Sequence, residues 1–307
     1  MRFRRGEGSY RMVKGAGLSA AGRGHALALG TILVWGTTFI ASTLALRTLS
    51  PNELLVSRLV IALAALFLVN RQKLTLISRK HELYLMGAAL SGVVLYFLFE
   101  NIALTYTNSS NCSVIISTAP FFVAIATRIF AKEEKLTRSF FVGFVIAIIG
   151  VGLVSFAGHT LKLNPLGDGL CVLAAISWAF YSVFIRKLDG FGYPTLLITR
   201  RIFLYGLLFM APLTLVFGFS VTPADFLAPS TLVSVLFLGV VASALCFVTW
   251  NTAVSILGPI KTSAYIYLTP GVTIVFAWLI LNDPIHPLAI VGAALTLAGL
   301  WVSQRRR

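Results

Sequence analysis

A single carboxylate, Glu100, stands well inside an apolar stretch of this chain, and three guanidiniums, Arg58, Arg200 and Arg201, stand inside others. A charge buried alone is costly, so each must find a partner, a cavity or a way back to water. Measured from the ends of their stretches at 1.5 Å per residue, Glu100 and Arg58 lie at a matching depth of roughly 7 Å. They read either as a plain ion pair that fixes helix packing or as a protonatable gate or coupling site. Arg200 and Arg201 lie deeper, and no acid stands where Glu100 does in the first half of the chain; Trp250 takes that place. Their stems either reach back to the surface or bring a guanidinium to a carboxylate, which it can hold bidentately.

Near the middle of the apolar stretches stand aromatic and small polar side chains: Trp35, Thr38, Tyr96, Ser117, Trp178, Tyr181, Tyr265 and Tyr267. An interfacial belt would put aromatics at the ends of such stretches. These are either packing residues or the lining of an apolar cavity with a few polar groups, which suits amphipathic metabolites better than inorganic ions. Asn101 and Asn251 join the charged residues as gating or coupling candidates. The cysteines (Cys112, Cys171, Cys246) have no paired spacing and read as small hydrophobes. The histidines fall at stretch ends or in loops, so neither a metal site nor a disulfide framework is expected. No phosphate-binding G-x-x-x-x-G-K-[ST] loop occurs, and the expectation is no cofactor and no enzymatic activity.

The elements that position these groups follow from composition. Hydrophobic residues make up 58% of the chain and charged residues 11%, with a mean hydropathy of +0.90. A soluble domain is about a quarter charged, so the chain reads as an integral membrane protein. A span needs about 20 apolar residues to cross about 30 Å of hydrocarbon. Apolar runs predict ten helices, at 26–46, 53–70, 83–105, 111–131, 138–157, 167–187, 194–217, 232–256, 262–281 and 287–303. Asn108, Ser109 and Ser110 read as a capping cluster for the fourth. Of the 25 basic residues, 20 fall on one set of alternating segments (the tail 1–25, 71–80, 128–138, 186–187, Lys261 and the last three arginines). Only Arg47 and Lys162 fall on the other set. That bias predicts cytoplasmic termini, and it accounts for the net charge of +15 without a nucleic-acid partner.

Pro120, in SVIISTAPFF (113–122), falls near the middle of the fourth run, where a proline removes the bond to the carbonyl of Ile116. The stretch aligns without gaps on SAYIYLTPGV (263–272), so that Pro120 falls on Pro270. The same shift of 150 lays Asn101 on Asn251, a shift of 142 lays Arg58 on Arg200, and one of 143 lays Trp35 on Trp178. Gly143 and Gly150 fall on Gly292 and Gly299 with a shift of 149, and permit close helix approach. The expected organisation is a basic tail (1–25) and two five-helix repeats, 26–157 and 158–307. Five helices being odd, the second copy enters the membrane from the opposite face. Such inverted repeats build secondary transporters, whose sites lie at the midplane where helices are interrupted. Pro120 and Pro270 are therefore placed with the lining residues.

At WGTTF (35–39), with the paired prolines and the five-plus-five layout, the chain resembles the EamA-type transporters of the drug/metabolite transporter superfamily. Within it, the sequence is most similar to bacterial amino-acid exporters, including the aromatic amino-acid group. The resemblance implies an inner-membrane, alternating-access carrier that exports small metabolites, working as a monomer or weak dimer in lipid. Exporters of other metabolites or drugs (nucleoside, sugar or cation type) are the alternative; a channel or an intramembrane enzyme leaves the duplication unexplained. SWAFY (177–181) lacks the glycine and threonines of WGTTF, so the two halves do not line a site identically.

Overall fold

The computed structural model describes residues 19–107, 109–132, 137–156, 164–281 and 287–303, and among them the regular structure is all helical, joined by loops and turns. Helices α1 (Ala20–Ala45), α2 (Pro51–Val69) and α3 (Arg79–Tyr106) are followed by a broken pair, α4 (Ser109–Ile116) and α5 (Ala119–Phe130). Then come α6 (Arg138–Phe156), α7 (Pro165–Asp189), α8 (Thr195–Phe217), α9 (Pro229–Leu257), α10 (Pro259–Ser263), α11 (Thr269–Leu281) and α12 (Pro287–Ser303). Among the described residues, seven stretches are long and apolar enough to cross a membrane: α1, α2, α3, the stretch Cys112–Phe130 through α4 and α5, α7, α8 and α9. Shorter apolar stretches lie in α6 and α12.

The helix ends are set by local chemistry. Ser50 and Glu53 form a reciprocal capping box with Pro51 in the first turn of α2. Asn164 caps α7 by accepting from the backbone N–H groups of Leu166 and Gly167. Ser19 caps α1, which starts ahead of the apolar run because the small residues around Arg23 continue the helix past it. Gly258 ends α9 at φ +82, a backbone conformation that a side chain would strain, and lets α10 start at the next residue. The expected cap at Asn108 lies outside the described residues; α4 begins at Ser109.

Four features depart from uniform helices. The chain does not kink at Pro120: α4 ends at Ile116, Ser117 and Thr118 turn, and Pro120 sits in the first turn of α5, where its missing N–H costs nothing. Pro270 holds the same place in α11, after a 3-10 turn over Ala264–Leu268. In addition, α3 widens into a π turn at Leu90–Leu95 and α9 into another at Phe237–Leu245. The shift of 150 that aligns the prolines also lays the first π turn on the second.

The glycine pairs act within the chain. A Cβ on Gly143 would stand 2.6 Å from the carbonyl oxygen of Gly299, and one on Gly150 2.6 Å from that of Gly292. Helix α6 of the first half thus lies backbone to backbone on α12 of the second.

Two cysteines that the sequence separates also meet. Cys112 of α4 and Cys171 of α7, both buried, bring their Sγ atoms to 3.1 Å. With a protease site inserted near residue 160, treatment with an oxidised disulfide reagent is expected to hold the two fragments together on a non-reducing gel. Replacing either cysteine should release them; fragments that separate regardless would contradict this packing.

Candidate functional site

The interrupted helices converge on one cavity. Its wall is built by Ile32, Trp35, Thr38 and Phe39 of α1, Arg58 of α2, and Tyr96, Phe97 and Glu100 of α3. Ile116 and Ala119 flank the α4–α5 break, Trp178 comes from α7, Phe247 from α9 and Ile266 from the turn before α11, and Thr269 is the first residue of α11. Under the shift of 150, Phe97 corresponds to Phe247, Ile116 to Ile266 and Ala119 to Thr269, so matched positions face each other across the space. The volume open to water centres is about 40 Å³, room for two or three waters.

The WGTTF motif has a structural account. The Trp35 indole N–H donates to the carbonyl of Ala242, in the π turn of α9, at 2.9 Å. Gly36 lets α11 approach, since a Cβ there would meet Val272 at 2.4 Å, and its carbonyl accepts from the Thr273 hydroxyl at 2.7 Å. Thr38 lines the cavity while its hydroxyl donates to the carbonyl of Trp35. The Trp35 ring meets Trp178 edge-on at 5.3 Å and lies 5.0 Å from Trp250. Tyr96 is 5.2 Å from Trp178, an arrangement that rings prefer to face-to-face stacking.

Glu100 and Arg58 come to the same cavity but do not form an ion pair. The reason is azimuth, which depth along a helix does not give. The guanidinium carbon lies over the Phe97 ring, 3.8 Å from its centre, and the Nε–H donates to the Ser243 hydroxyl at 2.6 Å, toward α9. Arg58 is 1% exposed, and its Nη1 is buried with no acceptor. Glu100 is 2% exposed, and it shares the cavity with Arg58 and Tyr96. The indole nitrogen of Trp178 is likewise a buried donor without an acceptor.

The other candidates lie around this cavity or away from it. Tyr181 packs beneath Trp178, with ring centres 4.8 Å apart, and donates to Asn251 Oδ1 at 2.9 Å. Asn251 in turn donates to Thr199 of α8, and Asn101 to the carbonyl of Pro51. Each asparagine therefore braces the third helix of its half against the second. Ser117 is fully buried in the break, its hydroxyl donating to the carbonyl of Val114 at 2.6 Å, while Pro120 sits behind Ala119. Tyr265 is hydrogen bonded to His25 at 2.7 Å, and Tyr267 packs near Phe144. Pro270 follows the lining residue Thr269. Arg200 and Arg201 turn away from the cavity. Arg200 donates to the carbonyls of Asn70 and Gln72, with its guanidinium over Phe67. Arg201 pairs with Glu82 at 2.7 Å, and Tyr205 donates to the same carboxylate.

Comparison with known proteins fits this architecture. The model of the EamA-like transporter family matches twice, over residues 22–156 and 165–304. An uncharacterized transporter of Archaeoglobus fulgidus is 30% identical over 92% of this chain and 98% of its own. A probable terminal-alkyne amino-acid exporter of Streptantibioticus cattleyicolor is 27% identical, covering 90% of this chain and 91% of its own. A probable amino-acid metabolite efflux pump of Salmonella typhimurium is 26% identical over 90% and 93%. A solved crystal structure at 18% identity superposes with a TM-score of 0.72 over 92% of this chain and 96% of that one, a likeness of fold. The chain belongs to the EamA-like transporter family, within the drug/metabolite transporter superfamily, and is a multi-pass membrane protein.

Proposed function

We propose that this protein is a secondary-active or facilitative carrier that exports small metabolites, amino acids foremost, by alternating access around the cavity. In this reading the tail 1–25 is cytoplasmic, and residues 26–157 and 158–307 are two five-helix repeats of opposite orientation. Ten spans then cross the bacterial inner membrane with both termini inside, and one copy in lipid is a complete carrier. One observation carries the reading: both halves interrupt their third and fourth helices at corresponding places, and all of these interrupted helices contribute residues to one aromatic cavity, with the fourth-helix breaks lying at its wall. Interrupted helices facing a shared space are what alternating access about a fixed site requires. The names of the Streptantibioticus and Salmonella relatives favour amino acids.

Purified protein in proteoliposomes, preloaded with single amino acids and tested with and without a pH gradient, is expected to show saturable exchange of at least one apolar or aromatic amino acid. A coupled carrier would respond to the gradient and a facilitative one would not. Exchange of the whole panel at the rate of empty liposomes would overturn the proposal.

A further inference from the structure

Two side chains lining the cavity carry hydrogen-bond donors that the protein leaves unused. Arg58 spends its Nε–H on Ser243 and lies over Phe97, and Nη1 has no acceptor among the described residues. The indole N–H of Trp178 has none either. Buried donors without acceptors are rare, and each points to a missing partner. Both deficits are of acceptors, and one belongs to a cation, so the missing partner is an anionic oxygen group. A carboxylate fits: guanidinium is the side chain that best matches it in shape and charge.

The same cavity holds Glu100, whose carboxylate forms no ion pair among the described residues, and the ring of Tyr96 one helical turn before it. A carboxylate beside aromatic faces is a site for an ammonium. The remaining wall is apolar: Ile32, Phe39, Ile116, Phe247 and Ile266, with Trp35. Lone carboxylates would meet Glu100 as a like charge, and lone amines would leave Arg58 unanswered. Only a molecule carrying both charges on an apolar body satisfies all three parts of the wall.

Resting on the carrier reading above, we infer that Arg58 and Glu100 form a split clamp for the zwitterion of an apolar or aromatic α-amino acid. Arg58 receives the carboxylate, Glu100 the ammonium, and the rings around Trp35 and Trp178 the side chain. The gap that keeps Arg58 and Glu100 from pairing is then the place of the substrate's head group. Ser243 is a positioning residue that holds the guanidinium over Phe97.

The test uses the full-length protein, with L-phenylalanine as probe and tryptophan fluorescence as readout, since Trp35 and Trp178 line the cavity and Trp250 stands beside Trp35. Phenethylamine lacks the carboxylate and 3-phenylpropionate lacks the amine. Each is expected to bind about ten- to a hundredfold more weakly than L-phenylalanine, the worth of a charge-assisted hydrogen bond. Arg58→Gln should bring phenethylamine and L-phenylalanine to within about threefold of each other without relaxing the demand for the amine. Glu100→Gln should do the reverse for 3-phenylpropionate. Arg58→Lys keeps the charge and serves if the glutamine variant does not fold; it should retain the preference for the carboxylate at reduced affinity. If wild-type protein binds either analogue as well as L-phenylalanine, or if the variants leave both ratios unchanged, the clamp is wrong. In that event amino-acid exchange in proteoliposomes still stands, whereas loss of exchange for the whole amino-acid panel would remove the carrier reading itself.

Discussion

Gly150→Leu is expected to lose most of the folded protein, while Gly152→Leu, two residues along the same helix, should insert and purify as the wild type does. The difference follows from what each Cβ would meet. At Gly150 it would stand 2.5 Å from the backbone nitrogen of Thr296 and 2.6 Å from the oxygen of Gly292. At Gly152 nothing lies within 4 Å. Backbone atoms in a packed helix cannot swing aside as a long side chain can, so α6 and α12 must separate along their length. Overpacking costs typically about 1–3 kcal/mol and occasionally more; with backbone as the obstacle, a loss of about 3 kcal/mol is expected here. Denaturation in mild detergent, followed by size-exclusion chromatography, reads the effect. Equal behaviour of the two variants would show that the glycine stripe does not join the halves.

The double variant Pro120→Ala/Pro270→Ala is expected to insert normally yet exchange substrate about tenfold more slowly, a rise of about 1.4 kcal/mol in the barrier. Alanine is favoured over proline in a helix interior by about 3 kcal/mol. It also restores an N–H that the carbonyls of Ile116 and Ile266 can accept, so the turns before α5 and α11 close into continuous helix. Those turns carry Ala119 and Thr269 to the cavity wall, and straightening withdraws them. Hydroxyls already hold the first break, with Ser117 donating to Val114 and Thr118 to Ile115 at 2.6 and 2.7 Å. Each single variant should therefore be milder than the pair. Wild-type exchange by the double variant would show that the breaks do not serve transport.

Much of this was legible from residue types and spacing. Charges and prolines mark themselves on an apolar background, so Glu100, Arg58, Pro120 and Pro270 stood out, as did the glycine pairs. The caps at Ser50 and Asn164 did not stand out, because the apolar runs begin at 53 and 167 whereas the helices begin at Pro51 and Pro165. The π turns were not legible, because LSGVVL (90–95) and FLGVVASAL (237–245) read as ordinary apolar helix. What distinguishes them is tertiary: the Tyr181 ring lies where a Cβ on Gly92 would be, and Trp35 takes the carbonyl of Ala242. Phe97, Phe247 and Ile266 carry no local sign of their role, although the shift of 150 pairs Phe97 with Phe247 and Ile116 with Ile266. Depth along a helix gave Glu100 and Arg58 a common level but not a common direction. The Cys112–Cys171 contact spans 59 residues and depends on the docking of α4 on α7.

The path of transport is tested most directly by a thiol in the wall of the cavity. Ala119 is fully buried there, beside the first break. Ala119→Cys would be made in a chain whose Cys112, Cys171 and Cys246 are replaced by alanine, then reconstituted and treated with a small methanethiosulfonate. Modification is expected to stop amino-acid exchange, and a saturating concentration of the exchanged amino acid to slow modification. Full modification with exchange running at its original rate would show that the substrate does not pass through this cavity.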